Sequence, residues 1–558
     1  MCAPQWAAAM LDDENATSVD YPTEPKRPCL RAVLARAHPP PLRIRHAGVV
    51  EPSRTPRPDP QTRRSFVSLP FLDDVLARAR RPRRERRRTR IVATIGPASS
   101  SPETLAALVE VGMDVARVSF AHGTTTDAIK LIRQIRKIAP HIGILPDLPG
   151  PKIRSSPFPE RGVVLRAGAE LVLAPGSTTP TSSATRIGVA VDEVVISLAE
   201  GDFVSLGDGG VSLVVVGRRG DEAVVRVRAG GRIMGRTGVT VPSSRFQLAT
   251  PTPEDLDRIA ALAAEEVAAI AVSFVRGSED IDAVRDAIGN SGTMLVAKIE
   301  TPEAIDNLDA IVRSADAVMV ARGDLGMRLP LEDVPFHQKQ IIRSGVRFGR
   351  PVITATQMLE SMITSLVPTR AEVTDVANAV LDGTSAVMLS GETAIGVDPV
   401  LAVSTMARIV ERAERDFDYL NWGAGLGVQE VSGDLPLRRI TAAITGAAWH
   451  AALEQDVAAI IACTQSGATA RAISRFRPSM PIVAVTPSER TFRQLSMSWG
   501  VETLLSERSA DTDGDIWLAV QQAVGAGFAS PGDVVVVIAG SPYEQDPVAD
   551  TLRIVRIR

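Results

Sequence analysis

Cysteine is nearly absent, with three in 558 residues: Cys2, Cys29 and Cys463. So sparse a set excludes a disulfide framework, shows no metal-ligand spacing and fits a reducing compartment. Aromatic residues make up only 4% of the chain, so its core must rest on Val, Ile, Leu and Ala. No run of 18 apolar residues exists, which excludes a transmembrane helix. No basic segment precedes an apolar stretch near the start, which argues against a secretory signal. Asp12, Asp13 and Glu14 argue against a transit peptide. The expected location is therefore the cytoplasm, and no membrane partner is expected.

Charge is uneven. Residues 1–90 hold 19 Lys and Arg against 10 Asp and Glu, which leaves 43 against 55 for the remainder. A net-acidic body argues against nucleic acid as the main ligand. Residues 1–86 read as a separate extension. They carry 13 of the 39 prolines and end in the basic run Arg81-Pro82-Arg83-Arg84-Glu85-Arg86-Arg87-Arg88. Such a composition cannot bury enough apolar surface to offset ordering entropy, so disorder and a solvated basic run are expected. One short amphipathic helix is expected over Phe66–Arg80.

From Thr89 onward, short β-branched runs alternate with helical stretches. Eight such runs precede residue 395: Ile91–Ile95, Asp114–Phe120, Ile142–Asp147, Ala269–Val275, Met294–Glu300, Ala317–Arg322, Pro351–Gln357 and Ala386–Ser390. Eight parallel strands with helical crossovers predict a closed (β/α)8 TIM barrel, built from residues 87–154 and 249–415. Between the third and fourth runs lies an insertion, residues 155–248. It reads as short strands with turns, Val194–Ser197 among them, and predicts an all-β lid domain. Residues 416–558 read as a C-terminal open α/β domain. Its parallel strands are expected at Ala458–Thr464, Pro481–Thr486, Val501–Leu505 and Val534–Ala539.

Catalysis in such barrels sits at the C-terminal ends of the strands. Here those ends are rich in polar residues: Arg117, Ser119 and His122; Asp147, Lys152 and Arg154; Lys298 and Glu300; Arg322, Gly323 and Asp324; Thr354, Thr356 and Gln357. Alternation along a strand puts Lys298 and Glu300 on one side. Two carboxylates from neighbouring strands, Glu300 and Asp324, suit Mg2+ or Mn2+. Lys298 and Arg117 could neutralise phosphate charge. In the C-terminal domain, Thr464, Ser466, Gly467 and Thr469 lie between a strand and a helix, where amides and hydroxyls could cradle a phosphate.

Long ordered motifs also carry a resemblance. They include Thr94-Ile-Gly-Pro-Ala-Ser, Gly150-Pro-Lys-Ile-Arg, Ala297-Lys-Ile-Glu, Met319-Val-Ala-Arg-Gly-Asp-Leu-Gly, Ala355-Thr-Gln-Met-Leu-Glu-Ser-Met and Met388-Leu-Ser-Gly-Glu-Thr-Ala. From about residue 87 to its end, the chain resembles the pyruvate kinase family. That resemblance implies phosphoryl transfer between phosphoenolpyruvate and ADP, giving pyruvate and ATP at the last step of glycolysis. It implies Lys298 at the transferring phosphoryl group, Glu300 and Asp324 on Mg2+, and Arg117 on phosphate. Gly323 and Thr356 would meet the pyruvate moiety. Ser119, His122, Arg154 and Arg236 would serve the nucleotide, and Asp208 would be the lid aspartate. A sugar-phosphate or nucleotide effector at the Thr464–Thr469 loop and a homotetramer are implied in the same way. Two other readings compete: a Mg2+-dependent lyase or mutase acting on phosphoenolpyruvate or a pyruvate enolate, and a non-catalytic regulatory paralogue. The lid and Arg154 argue against the first. Intact Lys298, Glu300, Asp324 and Thr356 argue against the second.

The chain departs from the family's K+ pattern. Members that need K+ hold it with Asn and Ser around the strand-two arginine, and with Asp and Thr after strand three. Those places here read Ser119, Ala121, Asp147 and Leu148. Lys152 stands where K+-requiring members usually have Glu. The expectation is an enzyme for which K+ is dispensable, with the Lys152 ammonium near the vacant cation pocket. Arg328 replaces a usual Glu, and the sequence offers no account of it.

Overall fold

The structure, a computed structural model, describes residues 87–207, 209–242, 246, 249–430, 439–509, 511–540 and 549–558. The extension of residues 1–86, its expected helix and Asp208 lie outside the described residues.

Eight parallel strands close into a barrel: β1 (Arg90–Thr94), β2 (Val115–Ser119), β3 (Gly143–Asp147), β4 (Ala269–Val272), β5 (Met294–Ile299), β6 (Ala317–Ala321), β7 (Val352–Ala355) and β8 (Ala386–Leu389). β8 pairs with β1 to complete the ring. Every expected run forms its strand. The helices between them start where sequence signals place them. Thr124, Thr252 and Thr369 each form a reciprocal capping box with an acidic residue three positions on.

Alternation along the strands fixes what lies inside the ring. Val92, Val115, Leu145, Ala271, Val296 and Met319 share one buried interior cluster. The side chain of Met497, from the C-terminal domain, joins that cluster. Two residues further along, in the same inward phase, stand Thr94, Arg117, Asp147, Ser273 and Lys298. The alternation that fills the barrel with apolar side chains thus delivers a polar layer at its C-terminal mouth.

The insertion is strand-rich, as expected. Its six-stranded sheet runs in the order 239–240, 203–206, 211–219, 222–229, 170–175 and 186–189. One expected strand is not there: Asp192–Ser197 is a helix. Val194 and Val195 are both fully buried in the lid core. A strand would point such neighbours to opposite faces, whereas a helix can turn both inward.

The C-terminal sheet joins β9 (Ala459–Cys463), β10 (Ile482–Thr486), β11 (Val501–Leu505), β12 (Val534–Gly540) and β13 (Ala549–Arg556) in the order β11-β10-β9-β12-β13. The fully parallel expectation needs correction, because β13 runs antiparallel to β12. Only residues 541–548 connect the two, too few for the helical crossover a parallel partner requires.

The end of the basic run is not solvated, contrary to expectation. Arg87 donates to the Asp114 carboxylate and to the Gly112 carbonyl, each at 2.6 Å. The Arg88 amide donates to the Glu414 carboxylate at 3.0 Å, and its guanidinium lies 4.8 Å over the Tyr419 ring.

Candidate active site

The polar layer at the barrel mouth is one connected network. The Lys298 ammonium donates to the Ser273 hydroxyl at 2.7 Å and to Asp147 Oδ1 at 3.3 Å. Asp147 Oδ2 accepts from Arg117 Nε at 2.7 Å, and Arg117 Nη1 donates to the Thr94 hydroxyl at 2.9 Å. Burial pushes the Asp147 carboxyl up, but Arg117 and Lys298 outweigh it and hold the group below the usual carboxylate range. Burial also works against the Lys298 ammonium. Asp147, Glu300 and Asp324 outweigh that and raise its pKa above an ordinary lysine's, so the charge is permanent.

Glu300 is fully buried just beyond β5. Its Oε2 accepts from the Phe274 amide at 2.7 Å. Its Oε1 pairs with the Lys298 ammonium at 2.9 Å. Burial, reinforced by Asp324, raises the Glu300 pKa against the pull of Lys298. Asp324 is half-buried in the first turn of the short helix Arg322–Gly326, close enough for that repulsion. A buried carboxylate beside a second, half-buried one fits a hard divalent cation, which needs only one or two protein carboxylates. Among the described residues no group of three acidic, His or Cys side chains could hold a metal, so a two-carboxylate site is the fit available.

Strain marks the other side of the mouth. Thr356 and Gln357 sit at φ 66° and 54°, and Phe274 at φ 57°. Each such left-handed non-glycine residue costs on the order of 1–3 kcal/mol and persists only where its surroundings over-determine it. Arg322 does this for the Thr356 turn. It donates to the carbonyls of Ala355 (3.2 Å) and Thr356 (2.8 Å) and pairs with Asp375 at 2.6 Å. The Thr356 hydroxyl accepts from the Gly323 amide at 2.8 Å, so the two expected pyruvate contacts touch. Gly150, at φ 64°, faces the Phe274 turn. A Cβ there would fall 2.9 Å from the Phe274 ring, so only glycine fits.

The remaining expected residues scatter more widely. Arg154 meets Gly238 in an isolated bridge, and its Nη1 donates to the Arg236 carbonyl at 3.2 Å, at the junction of barrel and lid. Arg236 and His122 are exposed. A Cβ on lid Gly209 would come 3.5 Å from Met327, three residues past Asp324. In the remnant cation site the Ser119 hydroxyl accepts from the Ala121 amide at 3.3 Å, and the Leu148 carbonyl from the Ser273 hydroxyl at 2.7 Å. Lys152 is exposed and takes no part in the Asp147 network, where Arg117 and Lys298 stand instead. At the proposed effector loop the Thr464 hydroxyl is already used by the Gly467 amide at 3.0 Å. Thr469 is buried, and Ser466 is exposed.

Two contributors escaped the sequence reading, and two that it named had no role there. Ser273 and Thr94 extend the inward phase of β4 and β1, a signal that counting in twos could have found. Arg322 acts through carbonyls, which no spacing reveals. Arg328 lies 5.3 Å over the Phe274 ring, on the residue whose amide holds Glu300.

Comparison with known proteins agrees with this geometry. The family model for the pyruvate kinase barrel domain matches residues 86–403, and that for the pyruvate kinase alpha/beta domain matches residues 442–555. A pyruvate kinase of Clostridium acetobutylicum is 36% identical over 84% of this chain and 99% of its own length. Those of Methylorubrum extorquens and Agrobacterium vitis are each 40% identical over 84% of this chain, covering 97% and 98% of their own lengths. Matched across both its barrel and its C-terminal domain, the chain belongs to the pyruvate kinase family of phosphotransferase enzymes.

Proposed function

We propose that the chain moves a phosphoryl group between phosphoenolpyruvate and ADP, giving pyruvate and ATP, with the residues at the barrel mouth in the roles that follow. The observation that carries this is the convergence of Lys298, Arg117, Glu300 and Asp324 at one rim. Phosphoryl transfer asks little covalent work of a protein; it needs positioning and charge neutralisation. Lys298, held by Ser273 and Asp147, offers a fixed ammonium to charge that develops on the transferring group. Arg117 contributes a second fixed cation for the phosphate. Gly323 and Thr356 position the pyruvate end. Arg154 and Arg236, at the junction with the lid, receive nucleotide phosphates, and Ser119 and His122 are assigned to the nucleotide as well. Asp208 is assigned to the lid. Mg2+ or Mn2+ on Glu300 and Asp324 would supply further charge neutralisation at the phosphoryl oxygens. Magnesium binding, cytoplasmic location, a homotetramer and an effector at the Ser466 loop complete the reading. Among the described residues no helix is long and apolar enough to cross a membrane.

Independence from K+ is part of the same proposal. Its support is that the remnant pocket's oxygens are already engaged: both Asp147 oxygens, the Ser119 hydroxyl and the Leu148 carbonyl each carry a hydrogen bond. A K+ entering there would have to share oxygens that already accept hydrogen bonds. The test is a coupled pyruvate-formation assay with phosphoenolpyruvate, ADP and Mg2+, run in tetramethylammonium and then with K+ added. Full activity without K+ is expected. Strong activation by K+ in the millimolar range would refute this part, and no turnover under either condition would refute the assigned reaction.

A further inference from the structure

Arg328 stands on a loop of the barrel mouth and has no part in the roles assigned above. Its backbone amide donates to the Leu325 carbonyl at 3.0 Å, turning the chain just after the helix Arg322–Gly326, four residues past Asp324. From there the side chain reaches sideways. The guanidinium lies 5.3 Å over the ring of Phe274, one of the left-handed residues, which follows β4. In the barrel ring β5 stands between β4 and β6. Arg328 therefore spans from the β6 side to the β4 side across the end of β5, where Glu300 sits.

A guanidinium over an aromatic face is attracted by the negative surface of the ring, so Phe274 fixes where this charge stands. The same residue's amide donates to Glu300 Oε2 at 2.7 Å, so one turn seats both the arginine and the carboxylate. Arg328 Nε is buried and has no hydrogen-bond partner among the described residues. Burial lowers the Arg328 pKa, and Glu300, Asp324 and Glu303 act against that. A guanidinium keeps its proton at neutral pH regardless, so Glu300 and Asp324 face a standing positive charge.

We propose that Arg328 sets how tightly the Glu300–Asp324 pair holds a divalent cation: its fixed charge keeps the affinity of the bare carboxylates low, so that tight binding waits for the anionic oxygens of a substrate. The inference rests on the Mg2+ site proposed above. Two carboxylates already leave such an ion dependent on substrate oxygens and water for its remaining ligands. A cation beside them repels a second one, and the phosphoryl oxygens of a bound substrate offset that repulsion. The Glu that the family usually has at this place would act in the opposite sense.

The test is titration of the full chain with Mn2+ alone, read from the electron paramagnetic resonance of the free ion. Mildly alkaline buffer keeps protonation of Glu300 out of the measurement. The parent, Arg328→Lys, Arg328→Gln and Arg328→Glu form a charge series. Arg328→Lys should bind as the parent does. Affinity should then rise by roughly threefold or more with each unit of positive charge removed, the scale of a screened charge pair. An arginine that only braces the Phe274 turn would give weaker binding in all three variants, and that result would overturn the proposal. If Arg328→Glu fails to fold, Arg328→Gln against Arg328→Lys decides. Equal affinity across the series, with Mn2+ still lost in Asp324→Asn, would overturn the role of Arg328 alone. Binding unchanged in Asp324→Asn would remove the metal from this rim and overturn both readings.

Discussion

The Lys298 ammonium and the Glu300 carboxylate form a buried ion pair at the barrel mouth, 2.9 Å apart. Lys298 spends its bonds on Ser273 and Asp147, and Glu300 accepts from the Phe274 amide. Each is therefore held from behind as well as by the other. A group positioned by its neighbours needs no rearrangement when substrate charge develops, and that preorganisation is the larger part of electrostatic catalysis.

The first prediction concerns the carboxylates. Glu300→Gln and Asp324→Asn keep side-chain size and remove charge. Each should abolish most pyruvate formation while the circular-dichroism spectrum stays native. Near-normal turnover in both at low Mg2+ would show that the metal lies elsewhere.

Arg322 gives the second. It holds the strained Thr356 turn through two carbonyls while pairing with Asp375, and a lysine can satisfy only part of that set. Arg322→Lys should lower kcat/KM for phosphoenolpyruvate by roughly tenfold, with most of the loss in KM, as for a misplaced binding contact. An unchanged KM would mean that the turn holds without its clamp.

A third separates the extension from its anchor. Removing residues 1–84 should leave the melting temperature nearly unchanged. Removing residues 1–88 takes away the Arg87–Asp114 ion pair and the Arg88 contacts with Glu414 and Tyr419. That longer truncation should lower the melting temperature by several degrees, on the scale of about 4–8 °C per kcal/mol in small domains and less in large ones. Equal melting temperatures for the two truncations would contradict the anchoring role.

Much of the fold was legible in the sequence because two periodicities governed it. β-branched runs separated by one helix gave all eight barrel strands. The inward phase of the same strands carried Arg117, Asp147 and Lys298 to one rim. Legibility ended where a short segment had two solutions. Val194 and Val195 favour a strand by propensity, but both point into the lid core from a helix. β13 was missed because only Ala549 and Val555 of its residues are buried, at a sheet edge, without an apolar run. Lys152 was expected near the cation pocket beside Asp147 because it carries the right sign and stands where the family usually has Glu. Reach and direction are not written in sequence, and the cations beside Asp147 are Arg117 and Lys298.

Lys298 carries the central claim, and its variant tests it most directly. In Lys298→Met the kcat for pyruvate formation and the affinity for phosphoenolpyruvate should be measured on the same preparation. An ammonium that acts mainly as the phosphoryl group moves should leave kcat lower by roughly 10³-fold or more, with affinity changed far less. A collapse in affinity with kcat preserved would contradict the account and make Lys298 a binding residue.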